Sequence, residues 1–132
     1  MITNVYVDGF NLYYGCLKGS PHKWLDLETL CGHLLPAHQI KYLLVDAFRQ
    51  DAEAFVVISN DSDLKEPIRI VCHELNYTMG LINSHPPAKR SRALENCKPT
   101  FFKQIRQGVL AASQFPSDLN DAAGAFHKPA DW

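Results

Sequence analysis

With 132 residues, 46% of them apolar, the chain is long enough for one hydrophobic core and too short for two domains of ordinary size. Its longest apolar runs, Tyr42 to Val45 and Ala54 to Ile58, fall far below the roughly 20 residues of a spanning helix, so a soluble, cytoplasmic protein with no membrane partner and no leader segment is expected. Net charge is −1 but uneven, −4 over residues 1–63 and +3 over 64–132; this argues against a general polyanion binder and suits an acidic cluster beside a basic one, although solvated helix faces would give the same asymmetry.

The β-branched and aromatic run Asn4-Val5-Tyr6-Val7-Asp8 reads as a first strand, released by Gly9. Asn11 is placed to cap a short helix through Leu17, which Gly19, Ser20 and Pro21 end. Leu27, Leu30, Leu34 and Leu35 recur at helical spacing and predict a second helix over 26–35, stopped by Pro36. Residues 42–50 put Leu43, Leu44, Ala47 and Phe48 on one helical face with Asp46 opposite.

Phe55-Val56-Val57-Ile58 is a continuous apolar run of the kind expected of a strand covered on both faces. Ser59-Asn60-Asp61-Ser62-Asp63 then turns into a helix with Leu64, Ile68, Val71, Cys72 and Leu75 as its inner stripe, and 77–82 forms a third strand. The polar, proline-broken and basic stretch 83–92 predicts an exposed loop, and Phe101, Ile105 and Val109 predict a helix over 100–112. Residues 1–112 are therefore expected to form the domain, and 113–132 an extended tail docked through Phe115, Phe126 and Trp132.

Strands alternating with helical segments imply a mostly parallel sheet, which binds ligands beyond the carboxyl ends of its strands. Asp8 ends one strand, and Asp61 and Asp63 follow another. On adjacent parallel strands these acids would share a rim about 5 to 10 Å across, where a hard cation such as Mg²⁺ or Mn²⁺ relieves their repulsion. Asp61 or Asp63 also suits a plain helix cap. The cysteines Cys16, Cys31, Cys72 and Cys97 form no C-x-x-C pair, and His33 and His38 have no spaced cysteine partners, so no zinc site can be written.

Val5-Tyr6-Val7-Asp8-Gly9-Phe10-Asn11-Leu12-Tyr13 resembles the opening motif of NYN domains, the LabA-like branch of the PIN-like nucleases. Val57-Ile58-Ser59-Asn60-Asp61-Ser62-Asp63-Leu64, with Pro67-Ile68 and Gly80, resembles that family's second motif. The likeness extends over residues 4–17 and 42–83. It implies a three-layer PIN-like α/β fold and a metal-dependent ribonuclease that hydrolyses RNA phosphodiesters. Asp8, Asp61 and Asp63 would be ligands of Mg²⁺ or Mn²⁺, with Asn11 and Ser59 beside the scissile phosphate. One departure stands out: the family's second strand, and an acid early in the following helix, have no counterpart between Pro36 and Asp46. The chain then reads as shortened by a middle block, with one ligand missing and β-branched Val5 and Val7 on an open sheet edge, which invites a homodimer.

For RNA, single-stranded in preference, basic contacts are expected from Lys89, Arg90, Arg92, Lys103 and Arg106, with Lys98 nearby. Tyr13, Tyr14 and Trp24 would either stack on bases or pack in the core. The alternative is an RNA-binding module of the same fold without catalysis. A third scheme treats Asp61-Ser62-Asp63 as a phosphatase nucleophile loop, and leaves Asp8-Gly9-Phe10-Asn11 without a role.

Overall fold

The structure, a computed structural model, describes residues 2–35, 39–41 and 52–132. Its centre is a parallel sheet of β1 (Ile2–Val7), β2 (Gln39–Lys41), β3 (Ala54–Ile58), β4 (Thr78–Asn83) and β5 (Phe101–Gln104), in the order β2-β1-β3-β4-β5. Helical elements surround it. α1 (Gly9–Leu12) runs on through a π-helical turn (Tyr13–Leu17), and α2 is Leu27–Leu34. α3 (Lys65–Arg69) lies between a 3-10 turn (Ser62–Leu64) and a π-helical turn (Ile70–Glu74). α4 is Arg92–Glu95 and α5 is Gln107–Ala112.

Successive side chains of a strand point to opposite faces, and this divides the core in two. Val5, Val56, Ile58 and Ile82 face α1, α2 and α5, where Leu12, Leu30, Leu34 and Leu110 close over them. Tyr6, Phe55, Val57, Met79 and Leu81 face the opposite layer, closed by Ile68, Val71 and Leu94 of the α3 and α4 side. Three layers, helices on both faces of a parallel sheet, follow from that alternation. Phe55, Leu30, Ile58, Ile68 and Met79 are buried to within 2% of full burial, and each such side chain contributes about 1.5 to 3 kcal/mol relative to exposure.

Several expectations are corrected. A strand does lie between residues 36 and 42: Gln39–Lys41 pairs in parallel with β1, from Ile2↔Gln39 to Asn4↔Lys41. β1 is therefore flanked by β2 and β3 instead of forming the edge, and the reason for expecting a dimer there falls away. Among the described residues the sheet has five strands where the sequence suggests three, because the start of the predicted 100–112 helix is β5, paired with β4 from Gly80↔Phe101 to Asn83↔Gln104. Gly80 permits that pairing, since a Cβ there would stand 2.2 Å from the Phe101 ring. Only Gln107–Ala112 is helical.

Leu75 is exposed rather than part of the inner stripe. The stretch expected to be an exposed loop, 83–92, begins buried: Asn83 is the last residue of β4 and Ser84 follows it, both buried. The predicted helix over 42–50, with Asp46, and also Pro36 and His38, lie outside the described residues.

The tail is ordered by pairing. Leu25 bridges Gln114, and Asp118–Asp121 and Gly124–His127 form an antiparallel hairpin, β6 and β7. Trp24 anchors the segment: its Nε1 donates to Pro116 O at 2.9 Å, and its ring meets Phe115 and Trp132 edge-on. Phe126 lies in β7 opposite Leu119 and is 46% exposed.

Candidate functional site

The chain leaves β1 toward β2 on one side and returns to β3 on the other, so the topological reversal of the sheet lies between β1 and β3. Parallel sheets open their ligand crevice at such a point, beyond the strands' carboxyl ends. Asp8 follows β1 directly and Ser59 follows β3, with the ladder continuing as Asp8 N donates to Ile58 O at 3.0 Å and Ser59 N to Ile82 O at 3.2 Å.

Asp8, not Asn11, is the N-cap of α1. Its Oδ1 accepts from Asn11 N at 3.0 Å, and its Oδ2 accepts from Asn11 Nδ2 at 2.7 Å and Ser59 Oγ at 3.0 Å. Asn11 sits one turn inside the helix and holds the carboxylate from the side, while its Oδ1 accepts from Asn60 N at 3.3 Å. Buried Ser59 in turn accepts from Asp61 N at 3.0 Å, which ties the two strand ends into one network. Burial pushes the Asp8 pKa up, but the bonds from Asn11 N, Ser59, the Asn11 side chain and Phe10 N outweigh it, so the carboxyl lies below its ordinary range and is charged at neutral pH.

Asp61 caps the next helical turn, its Oδ1 accepting from Asp63 N at 3.0 Å, and Asp63 extends into solvent. The structure thus joins Asp8, Asn11, Ser59 and the backbone of Asp61 directly, and sets Asp63 at the margin. Among the described residues, no three Asp, Glu, His or Cys side chains form a group able to hold a metal ion. A hydrated ion such as Mg²⁺ needs only one or two protein carboxylates and no closed protein cage.

Asn60 has a part that the sequence reading missed. Its Nδ2 donates to Lys89 O at 2.9 Å and its Oδ1 accepts from Ser91 N at 2.7 Å, which fastens the basic loop to the end of β3. The signal was available in the run Ser59-Asn60-Asp61, a side chain that both donates and accepts between two polar neighbours.

The basic residues separate. Lys89 and Arg92 are exposed, and Arg106 is exposed ahead of α5. Arg90 pairs with Glu95 at 3.2 Å and lies over the Phe102 ring. Lys103 instead donates to Leu34 O, at the C-terminal end of α2, where a cation also suits the helix dipole. Of the aromatics, Tyr13 and Tyr14 are exposed beside Phe10, which is 79% exposed and two residues from Asp8. Trp24 is committed to the tail. On the other side of Asp8, an apolar cavity of about 360 Å³ opens between Tyr6, Phe55, Val57, Leu64 and Ile68.

No protein-family model matches the chain. A segment of 36 residues, 26% of the chain, is 58% identical to 6-hydroxy-3-succinoylpyridine 3-monooxygenase from Pseudomonas putida. The match spans only 12% of that enzyme's length. Among solved structures, a protein of unknown function from Vibrio parahaemolyticus matches with a TM-score of 0.52 at 14% identity, over 80% of this chain and 93% of that one, a likeness of fold.

Proposed function

We propose that the chain is a PIN-like protein of the NYN type that hydrolyses RNA phosphodiester bonds at the β1/β3 crevice, with Mg²⁺ or Mn²⁺ as its cofactor. The observation that carries this reading is the charged Asp8 carboxylate, held by Asn11 and Ser59 in one network with Asp61 N at the reversal of a parallel sheet. Asp8 and Asp61 would hold the ion, with Asp63 reaching it through solvent. When bound, the ion would polarise phosphate oxygen and lower the pKa of a coordinated water.

The chain's own residues supply position and charge. Asn11 and Ser59 keep Asp8 ionised and fixed in direction, so that the carboxylate needs no rearrangement to meet a cation. Asn60 sets the basic loop against the same rim, where Lys89, Arg90 and Arg92 would neutralise the RNA backbone without reading its sequence. Phe10, Tyr13 and Tyr14 are exposed aromatic side chains on which unpaired bases would stack.

The test is cleavage of end-labelled single-stranded RNA in Mn²⁺, with Asp8→Asn protein as the control. Turnover that is lost in EDTA and in Asp8→Asn supports the reading. Salt-sensitive RNA binding with no metal-dependent turnover would point to the non-catalytic RNA-binding form instead.

The apolar cavity beside Asp8 favours a second reading, in which a flat heteroaromatic ring is the ligand, as the pyridine in the name of the Pseudomonas putida enzyme is for that protein. Saturation-transfer NMR with 6-hydroxy-3-succinoylpyridine, compared between wild type and Ile68→Trp, would show a signal lost on filling the cavity. Equal signals would remove that reading.

A further inference from the structure

We propose that a second cavity on the same rim, at the ends of β4 and β5, is a subsite for a backbone phosphate of single-stranded RNA, an inference that rests on the RNA reading above. The cavity measures about 560 Å³ and opens between Gly15 and Cys16 of the α1 extension, the Ser84–Pro87 loop, Arg90 and residues 104–107. Its lining carries Arg90, Arg106 and His85, and no Asp or Glu among the described residues. Arg106 forms no ion pair among the described residues, and Arg90 is pre-set by Glu95 and the Phe102 face. An anion with several acceptor oxygens is the complementary ligand, and a phosphate matches the planar donors of arginine.

The wall is built before any ligand arrives. Buried Asn83 donates from Nδ2 to His85 O and Gln104 Oε1, both at 2.7 Å, and accepts from His85 N at 3.2 Å. Gln104 Nε2 donates to His85 O at 2.7 Å as well. Two amides therefore fix the loop that presents His85, and such support is what a binding site needs to keep its geometry. The π-helical extension of α1 comes against this loop so closely that a Cβ on Gly15 would stand 2.8 Å from His85 Nδ1 and from Ser84 O.

The pocket is also continuous with the Asp8 network, because Ser84 Oγ donates to Asn11 O at 3.1 Å. A strand whose scissile phosphate lies at Asp8 would pass its next phosphates along this rim, and Arg106 and Arg90 would receive one.

Anisotropy of a short fluorescein-labelled oligouridylate, measured in EDTA over a salt series, tests the subsite apart from catalysis. Arg106→Ala should weaken binding about five- to tenfold at low salt and flatten the slope of log K against log salt by about 0.7, while Arg69→Ala, an equal loss of charge on α3, changes neither. Wild-type binding that Arg106→Ala and Arg90→Ala/Arg106→Ala leave unaltered would overturn the subsite and leave the RNA reading standing. A parallel ¹⁵N-NMR titration with inorganic phosphate separates the sources. Shifts confined to Gly15, His85 and Gln107 with both probes support a phosphodiester site. Shifts with phosphate alone, and no oligouridylate binding, overturn the proposal and the RNA reading together. Oligouridylate bound through Arg106 but never cleaved supports the subsite while removing the nuclease reading.

Discussion

Replacing Asp8 by Asn changes one atom and three hydrogen bonds. The carboxylate accepts from Asn11 N, Asn11 Nδ2 and Ser59 Oγ, and in Asp8→Asn one oxygen becomes a donor. If the remaining oxygen keeps the cap on Asn11 N, the new amide faces Asn11 Nδ2 and the Ser59 hydroxyl. Asn11 cannot flip freely, because its Oδ1 accepts from Asn60 N, whereas the Ser59 hydroxyl, which accepts from Asp61 N, has a second lone pair and can turn to accept from the new amide. Two charge-assisted bonds are lost and a donor faces a donor, which costs about 1 to 2 kcal/mol at this half-buried position. The urea midpoint, followed by far-UV circular dichroism, should fall by about 1 M at pH 7.

The sign with pH follows from the depressed pKa of Asp8. Its contribution is complete above the unfolded carboxyl's pKa and is lost as pH falls through the lower folded value. The gap between wild type and Asp8→Asn should therefore be full at pH 7 and close below about pH 4. Equal midpoints at pH 7, or a gap that persists unchanged at pH 3, would refute the network as described.

Gly80→Ala would drive a Cβ into the Phe101 ring, so thermal unfolding should shift down by an amount corresponding to about 1 to 3 kcal/mol; an unchanged midpoint would mean that β5 moves freely. Burial raises the Cys16 thiol to about 11, so at pH 8 only roughly one molecule in a thousand is thiolate, and mass spectrometry should find Cys16 alkylated by iodoacetamide far more slowly in native protein than in the urea-unfolded chain. Asn60→Ala removes both ties to the basic loop, and hydrogen exchange should quicken at Lys89 to Ser91 while β3 and β4 keep their protection.

Much of the site was legible because its strands carry their own signals. Val5-Tyr6-Val7 and Phe55 to Ile58 are β-branched or aromatic, end in polar turns, and place Asp8 and Ser59 where the alternation stops. β2 was not legible, since Gln39-Ile40-Lys41 is three residues long and gains its strand state from the edge of β1. β5 was misread because Phe101, Ile105 and Val109 recur every four residues, whereas pairing with β4 over Gly80 outweighs that local preference. The cap of α1 was misplaced for a related reason. Asn11 and Asp8 are three residues apart, the spacing at which either reads as a cap, and only the bond from Asn11 N to Asp8 Oδ1 decides between them.

The role proposed for Asp8 is to anchor a divalent ion at the β1/β3 crevice. Calorimetric titration of Mn²⁺ into the wild-type chain and into Asp8→Asn tests it without reference to any RNA. Saturable heat for one ion per chain is expected in wild type and its loss in Asp8→Asn; saturable binding of equal strength in both proteins, or none in wild type, would rule out an ion held by Asp8.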